Sequence, residues 1–164
     1  MISKSIVRIG VIADSHDRLD YLKKAINILK DRDISTLIHL GDYISPFTIP
    51  LLEINKVYGV FGNNDGDRLL LREEAKKLGF SILRGPQSME IGGRRIAIMH
   101  EPRGLESFRK SGLYDVVLYG HTHKLDKKND PLTVNPGELC GYLTGNGTFV
   151  IIDLTTLTCE FISI

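Results

Sequence analysis

Five apolar runs in this chain stop abruptly at short polar motifs. Ile6 to Ala13 runs into Asp14-Ser15-His16, Thr36 to Leu40 into Gly41-Asp42, and Val57 to Phe61 into Gly62-Asn63-Asn64-Asp65. Arg94 to Met99 runs into His100, and Val116 to Tyr119 into Gly120-His121-Thr122-His123. A buried strand has no use for such residues, so their recurrence at strand ends implies that several ends converge on something charged.

The segments between the runs fix how those strands can pair. Leu19 to Lys30 carries Leu22, Ala25, Ile26 and Leu29 at helical spacing, with Asp17 or Asp20 placed to cap it. Pro46 to Glu53 reads as a short helix, and Arg68 to Leu78 as a helix ended by Gly79. The first half therefore alternates strand and helix three times, which predicts parallel pairing through right-handed crossovers. The second half is richer in β-structure. Gly92-Gly93 marks a hairpin between Gln87–Ile91 and Arg94–Met99, and Leu105–Ser111 is a short helix. Leu132–Val134, Thr148–Leu154 and Thr158–Ile164 are strands, the last two turning at Thr155-Thr156. The expected fold is α/β, a four-layer αββα sandwich of two mixed β-sheets flanked by helices, in one domain spanning 1–164.

Charge excludes some functions. Twenty-one basic and 20 acidic side chains leave a net charge of +1, too little for a field that would hold a nucleic acid backbone. Bulk nucleic acid binding is not expected, and Lys124-Leu125-Asp126-Lys127-Lys128 reads as a solvated loop or strand face. No stretch has the length and apolarity of a membrane span or the order of a signal peptide, so no membrane association and a cytoplasmic location are expected. Cys140 and Cys159, distant from the polar motifs, read as small buried hydrophobes rather than ligands.

The chemistry lies in the motifs. Asp14 and His16 are two residues apart, so in extended backbone both would face one side and grip one ion, and His121 and His123 repeat that spacing. Asp42 has two carboxylate oxygens with which to bridge two metals, and Asn63 offers a neutral carbonyl oxygen. Nitrogen and oxygen ligands without thiolates suit Mn, Fe, Zn, Co or Ni better than a structural zinc site. The converging charge is read as two divalent cations. His39 reads as a core histidine hydrogen-bonded near Asp42, while Arg103 and the Arg94-Arg95 pair read as exposed loop residues.

In this order, Asp14-Ser15-His16, Gly41-Asp42, Gly62-Asn63-Asn64-Asp65, His100 and Gly120-His121-Thr122-His123 resemble the calcineurin-like metallophosphoesterase superfamily, whose pattern is D-x-H, G-D, G-N-H-[DE], H, G-H-x-H. The shortness of the chain and Asn135-Pro136-Gly137 make it look most like the small archaeal and bacterial phosphodiesterases of that superfamily. The resemblance implies one metal on Asp14, His16, Asp42 and His123, a second on Asp42, Asn63, His100 and His121, and Asp42 as the bridge. It implies hydrolysis of a small phosphodiester by a metal-bridging hydroxide, with manganese or nickel ahead of cobalt, iron and zinc. A homodimer is a further expectation, since small relatives often pair.

Three positions depart from the pattern. Asn64 stands where the superfamily has histidine, and its amide can donate to a phosphoryl oxygen but cannot protonate a leaving group. Asn64 and Asp42 are therefore the expected catalytic residues. Glu101 and Glu138 replace smaller residues and are expected to make the substrate pocket acidic. The retromer subunit Vps29, similar in size and fold, works as an interaction scaffold, so the alternative expectation is a non-catalytic scaffold.

Overall fold

The computed structural model describes residues 6–164; residues 1–5, with which the expected domain begins, lie outside the described residues. Eleven strands form among the described residues: β1 Arg8–Ile12, β2 Thr36–His39, β3 Lys56–Val60, β4 Ile82–Leu83, β5 Gln87–Ile91, β6 Arg94–Ile98, β7 Val116–Leu118, β8 Leu125–Lys128, β9 Leu132–Pro136, β10 Thr148–Asp153 and β11 Thr158–Ser163. The helices are α1 Leu19–Asp31, α2 Arg68–Lys77 and α3 Leu105–Lys110, with a 3₁₀ helix at Pro46–Leu51. No helix among the described residues is long and apolar enough to cross a membrane.

Two mixed sheets result, with orders β11-β10-β1-β2-β3-β4 and β5-β6-β7-β9-β8. Within the first, β1, β2, β3 and β4 run parallel; within the second, β6, β7 and β9 do. Three apolar clusters show the layering. Leu22, Ala25, Ile26 and Leu29 of α1 pack with Leu37, Phe149 and Ile151 on the outer face of the first sheet. Ile9, Val11, Ile38, Val150, Ile96, Ile98, Val116 and Leu118 fill the space between the sheets. Ala97, Met99, Val117 and Tyr119 take Leu105 and Phe108 of α3 on the far face. Residues of β10, β6 and β7 thus alternate between two clusters with the strand's period of two, and the four αββα layers follow from that alternation.

The sequence reading has no counterpart of β4, and the segment it gives as a solvated loop or strand face contains the strand β8. β4 has two residues, and β8 reads Leu-Asp-Lys-Lys with mostly exposed side chains. Each is an edge strand held by ladder bonds on one side, so its side chains need not carry an apolar pattern.

Candidate metal centre

The carboxyl ends of the parallel strands β1, β2 and β3 in one sheet, and β6 and β7 in the other, open on a common edge, and every motif of interest lies there. The loops are not extended. Asp14, His16 and Asp17 have φ of 52, 40 and 56°, Asp42 has 59°, and His121 and His123 have 70 and 60°. These are left-handed conformations, in which Asp and His are tolerated better than β-branched residues. The extended backbone expected at the i, i+2 pairs is therefore not present; Asp14 and His16 still converge, with His16 Nε2 3.8 Å from Asp14 Oδ1, but at His121 and His123 the two rings diverge to different partners.

Backbone bonds between loops hold this conformation. Asp14, His16 and Asp17 donate their N–H groups to the carbonyls of Gly41, Asp42 and Tyr43. Asp17 caps no helix, since α1 has no side-chain cap; its carboxylate instead accepts from Ser45 N–H, Ser45 Oγ and Thr48 Oγ1. Asp65, 4% exposed, accepts N–H bonds from Asp42 (3.2 Å), Ile44 (2.9 Å) and Gly62 (2.7 Å) and so ties the β2 loop to the β3 loop. Glycine is required where those loops meet. A Cβ on Gly62 would lie 2.1 Å from Asp42 Oδ1 and 2.4 Å from Asp42 N, and one on Gly41 2.6 Å from Gly62 N. Gly62→Ala is expected to push Asp42 out of place and destabilise the fold by about 1–3 kcal/mol, the usual range for overpacking; thermal melting checks it, and an unchanged midpoint would refute the close-approach argument.

The tautomers of the histidines reveal what the edge wants. His100 Nδ1 is 2.8 Å from the Leu40 carbonyl, which can only accept, so Nδ1 carries the proton and a neutral ring leaves Nε2 bare. That bare nitrogen faces Asn63 Oδ1 at 2.8 Å and Asp42 Oδ2 at 3.5 Å. His123 Nδ1 lies 2.6 Å from the Glu138 carboxylate, which turns its Nε2 toward Asp14 Oδ1 at 3.5 Å. His121 Nδ1 is 2.9 Å from Asn63 Oδ1. Asp14 Oδ1 and His16 Nε2 are buried with no hydrogen-bond partner, although His16 Nε2 lies 3.2 Å from Asp42 Oδ2. Around Asn63 Oδ1 the bare His100 nitrogen thus faces a lone pair, and in the neighbouring cluster His16 sits among the carboxylates of Asp14 and Asp42; a cation would satisfy the donor atoms of both.

All seven expected ligand residues are at this edge. Asp14, His16, Asp42 and His123 offer atoms within 4.8 Å of one another. Asn63, His100 and His121 form the second group, and Asp42 Oδ2 lies between the two. The carboxylates of Asp14 and then Asp42 raise the His16 pKa to about 9. Burial pushes the Asp42 carboxyl up, but His16, His100 and the two Asn64 donors outweigh it and hold the group well below the carboxylate range. The oxygen and nitrogen donors, with two atoms orphaned in the interior, fit divalent cations.

Around the donors sit residues that orient them. His39, fully buried, stacks on Tyr43 at 3.8 Å, accepts from Gly41 N–H and lies 2.9 Å from Ser15 Oγ; burial lowers its pKa to about 3, so it stays neutral. Asn64 turns inward. Its N–H and its amide donate to Asp42 Oδ1 (2.9 Å) and Oδ2 (2.8 Å).

Glu138 corrects one expectation, because it does not line the pocket. It is 0% exposed, backs His123, and accepts from the N–H groups of Leu143 and Thr144 and from Thr144 Oγ1. Burial opposes its ionisation, but His123 and Thr144 outweigh that and hold its pKa at about 2. Cys140 is not distant either. Its thiol contacts Glu138 Oε2 at 3.3 Å, and burial pushes its pKa up to about 12, so it remains a protonated donor and the neighbouring trio of His123, Glu138 and Cys140 is no thiolate site. The only sign of Glu138 in the sequence is its place after Asn135-Pro136-Gly137, whose asparagine donates to Gly120 O and Thr122 Oγ1 behind the histidine loop.

Glu101 also fails to make the pocket acidic. It is bridged by Arg103 at 2.6 Å, and the cavity beside Asn63 and His100 is lined by Arg68, Arg84 and Arg103 as well.

Comparison with known proteins gives the family and the fold. Phosphodiesterase MJ0936 of Methanocaldococcus jannaschii is 43% identical over 154 residues, covering 90% of this chain and 93% of that protein. The solved structure of an archaeal phosphodiesterase superposes with a TM-score of 0.87 at 40% identity, covering 96% of this chain and 99% of that one. Vps29 of Cryptosporidium parvum shares the fold, with a TM-score of 0.71 at 20% identity and 97% of each chain covered. The model of the calcineurin-like phosphoesterase superfamily domain matches residues 7–157, and the chain belongs to that superfamily.

Proposed function

We propose that the protein is a phosphodiesterase acting on small diesters with two divalent cations, one on Asp14, His16, Asp42 and His123 and one on Asp42, Asn63, His100 and His121. The observation that carries this reading is the convergence of oxygen and nitrogen donors on Asp42, whose Oδ2 lies 3.2 Å from His16 Nε2 and 3.5 Å from His100 Nε2. The name and 43% identity of the Methanocaldococcus jannaschii relative support the diester as the substrate class. The Vps29 likeness speaks to the fold alone, and the complete donor set favours an enzyme over a scaffold.

When bound, the cations would activate water and neutralise phosphoryl charge. The chain's own part is to hold the donors rigid. Leu40 O and Glu138 select the tautomers of His100 and His123, while Asn64 and Asp65 fix Asp42 through its oxygens and its N–H. Asn64 is the residue proposed to meet the substrate, by turning its amide from Asp42 to a phosphoryl oxygen. Having no proton to give, it should leave the enzyme dependent on good leaving groups.

The direct test strips the protein of metal, returns Mn, Ni, Co, Zn or Mg singly, and follows bis-p-nitrophenyl phosphate. Turnover restored by manganese or nickel is expected; no turnover with any metal in folded protein would transfer weight to the scaffold reading. Asn64→His should raise rates on esters with alkyl leaving groups by ~100-fold relative to nitrophenyl esters, within the range of general acid catalysis. Unchanged relative rates would remove the role given to Asn64. Glu138→Gln should weaken metal binding by about 10- to 100-fold, as for other partners of metal-bound histidines. Metal titration measures it, and unaltered affinity would show that Glu138 serves packing only.

A further inference from the structure

The cavity that opens beside Asn63 and His100 is assigned nothing by the reaction described above. It is about 240 Å³, bounded by the loops after β3, β4 and β6 and by the first residue of α2. This is below the ~300–1,000 Å³ of drug-sized sites, room for one arm of a substrate. Phe61 and Met99 give it an apolar wall. Arg68, Arg84 and Arg103 give it three guanidinium groups against one carboxylate, Glu101.

Those charges are available. Arg68 donates to the carbonyls of Gly62 (2.9 Å) and Asp65 (3.3 Å) and lies 5.3 Å over the Phe61 ring, so it is oriented by neutral groups. Arg84 pairs with no carboxylate among the described residues. The Arg103–Glu101 pair is solvent-facing, with the Arg103 side chain 87% exposed, and such pairs yield readily to a competing anion. In a chain whose net charge is only +1, this is a local concentration of positive charge, suited to a small anion rather than a polymer.

Resting on the phosphodiesterase reading, we infer that the cavity selects diesters in which one ester arm carries a second anionic group, a phosphate or carboxylate, on a short carbon chain. The arm's carbons lie along Phe61 and Met99, and its anion is forked by Arg68, Arg84 and Arg103. Arginine suits this role because its planar donors match carboxylate and phosphate oxygens in pairs.

The test uses two p-nitrophenyl diesters of propanediol, one with its free hydroxyl bare and one with that hydroxyl phosphorylated, beside bis-p-nitrophenyl phosphate, on manganese-loaded protein. The phosphorylated diester should show kcat/KM at least about tenfold higher than the bare one, the worth of one charge-assisted contact. In Arg84→Ala/Arg103→Ala that ratio should fall to about one, with Arg84→Lys/Arg103→Lys recovering part of it. A ratio near one in the wild type, or one that survives in the alanine variant while the simple diester is turned over, overturns the inference and leaves the phosphodiesterase reading standing. If none of the three esters releases nitrophenolate, the phosphodiesterase reading fails instead, and calorimetric titration with pyrophosphate decides the cavity. Binding weakened about tenfold in the alanine variant keeps the anion site, and equal binding overturns it.

Discussion

Asp42→Asn is expected to abolish metal-dependent hydrolysis of bis-p-nitrophenyl phosphate. Asp42 Oδ2 stands between the two donor groups, nearer than Asp14 to His16 and to His100, so its carboxylate is the negative charge best placed to serve both of the proposed cations. An amide halves the oxygen donors and removes that charge, and the several kcal/mol such neutralisation supplies correspond to a fall in kcat of about 10³-fold or more. The variant also keeps only one oxygen where Asn64 N–H and the Asn64 amide now donate to two, so the Asn64 amide must flip to accept from the new NH₂ or one of those bonds is lost. Circular dichroism separates a folded, inactive protein from an unfolded one, and metal analysis shows whether one or both equivalents are lost. Activity within tenfold of the wild type at full metal content would rule out Asp42 as the shared ligand.

Asp65→Ala should cost more stability than any other single change at this edge. Three backbone N–H groups, those of Asp42, Ile44 and Gly62, would lose their acceptor where the loops are too close to admit solvent easily. At roughly 1–3 kcal/mol for each unsatisfied buried donor, partly relieved by relaxation, the loss should total about 3–5 kcal/mol. For a chain of this size that lowers the melting midpoint by about 6–20 °C. Ile44 adds to the vulnerability, since its φ of 81° is costly for a β-branched residue and its N–H bond to Asp65 holds it there. Calorimetry on the metal-free variant gives the number, and a shift below about 2 °C would mean that the loops are fixed by other contacts.

How much of this was legible in the chain depends on the range of the interaction. Leu22, Ala25, Ile26 and Leu29 have the spacing of a buried helix face and are the four buried residues of α1. Here the helix period itself carries the information. The five motifs at strand ends were equally legible, because a polar residue that ends an apolar run is anomalous wherever it sits. Parallel strands then place their carboxyl ends together without further instruction.

The tertiary structure alone decided the rest. That Glu138 backs His123 instead of facing substrate, and that Cys140 packs behind the metal edge, depends on a loop returning from β9 across the β1 ends. The left-handed turns at Asp14, His16 and His121 are held by bonds between loops distant in sequence, so the i, i+2 spacing of His121 and His123 does not tell where those two rings point. Arg68 at the start of α2 and Arg84 and Arg103 in two separate loops form a charged cavity only once the two sheets are stacked. The sequence by itself determined which residues would gather and at which end of the sheets, since periodicity and strand direction are local properties. Their orientation, protonation and neighbours were set by contacts between segments far apart in the chain, which only the folded packing brings within bonding distance.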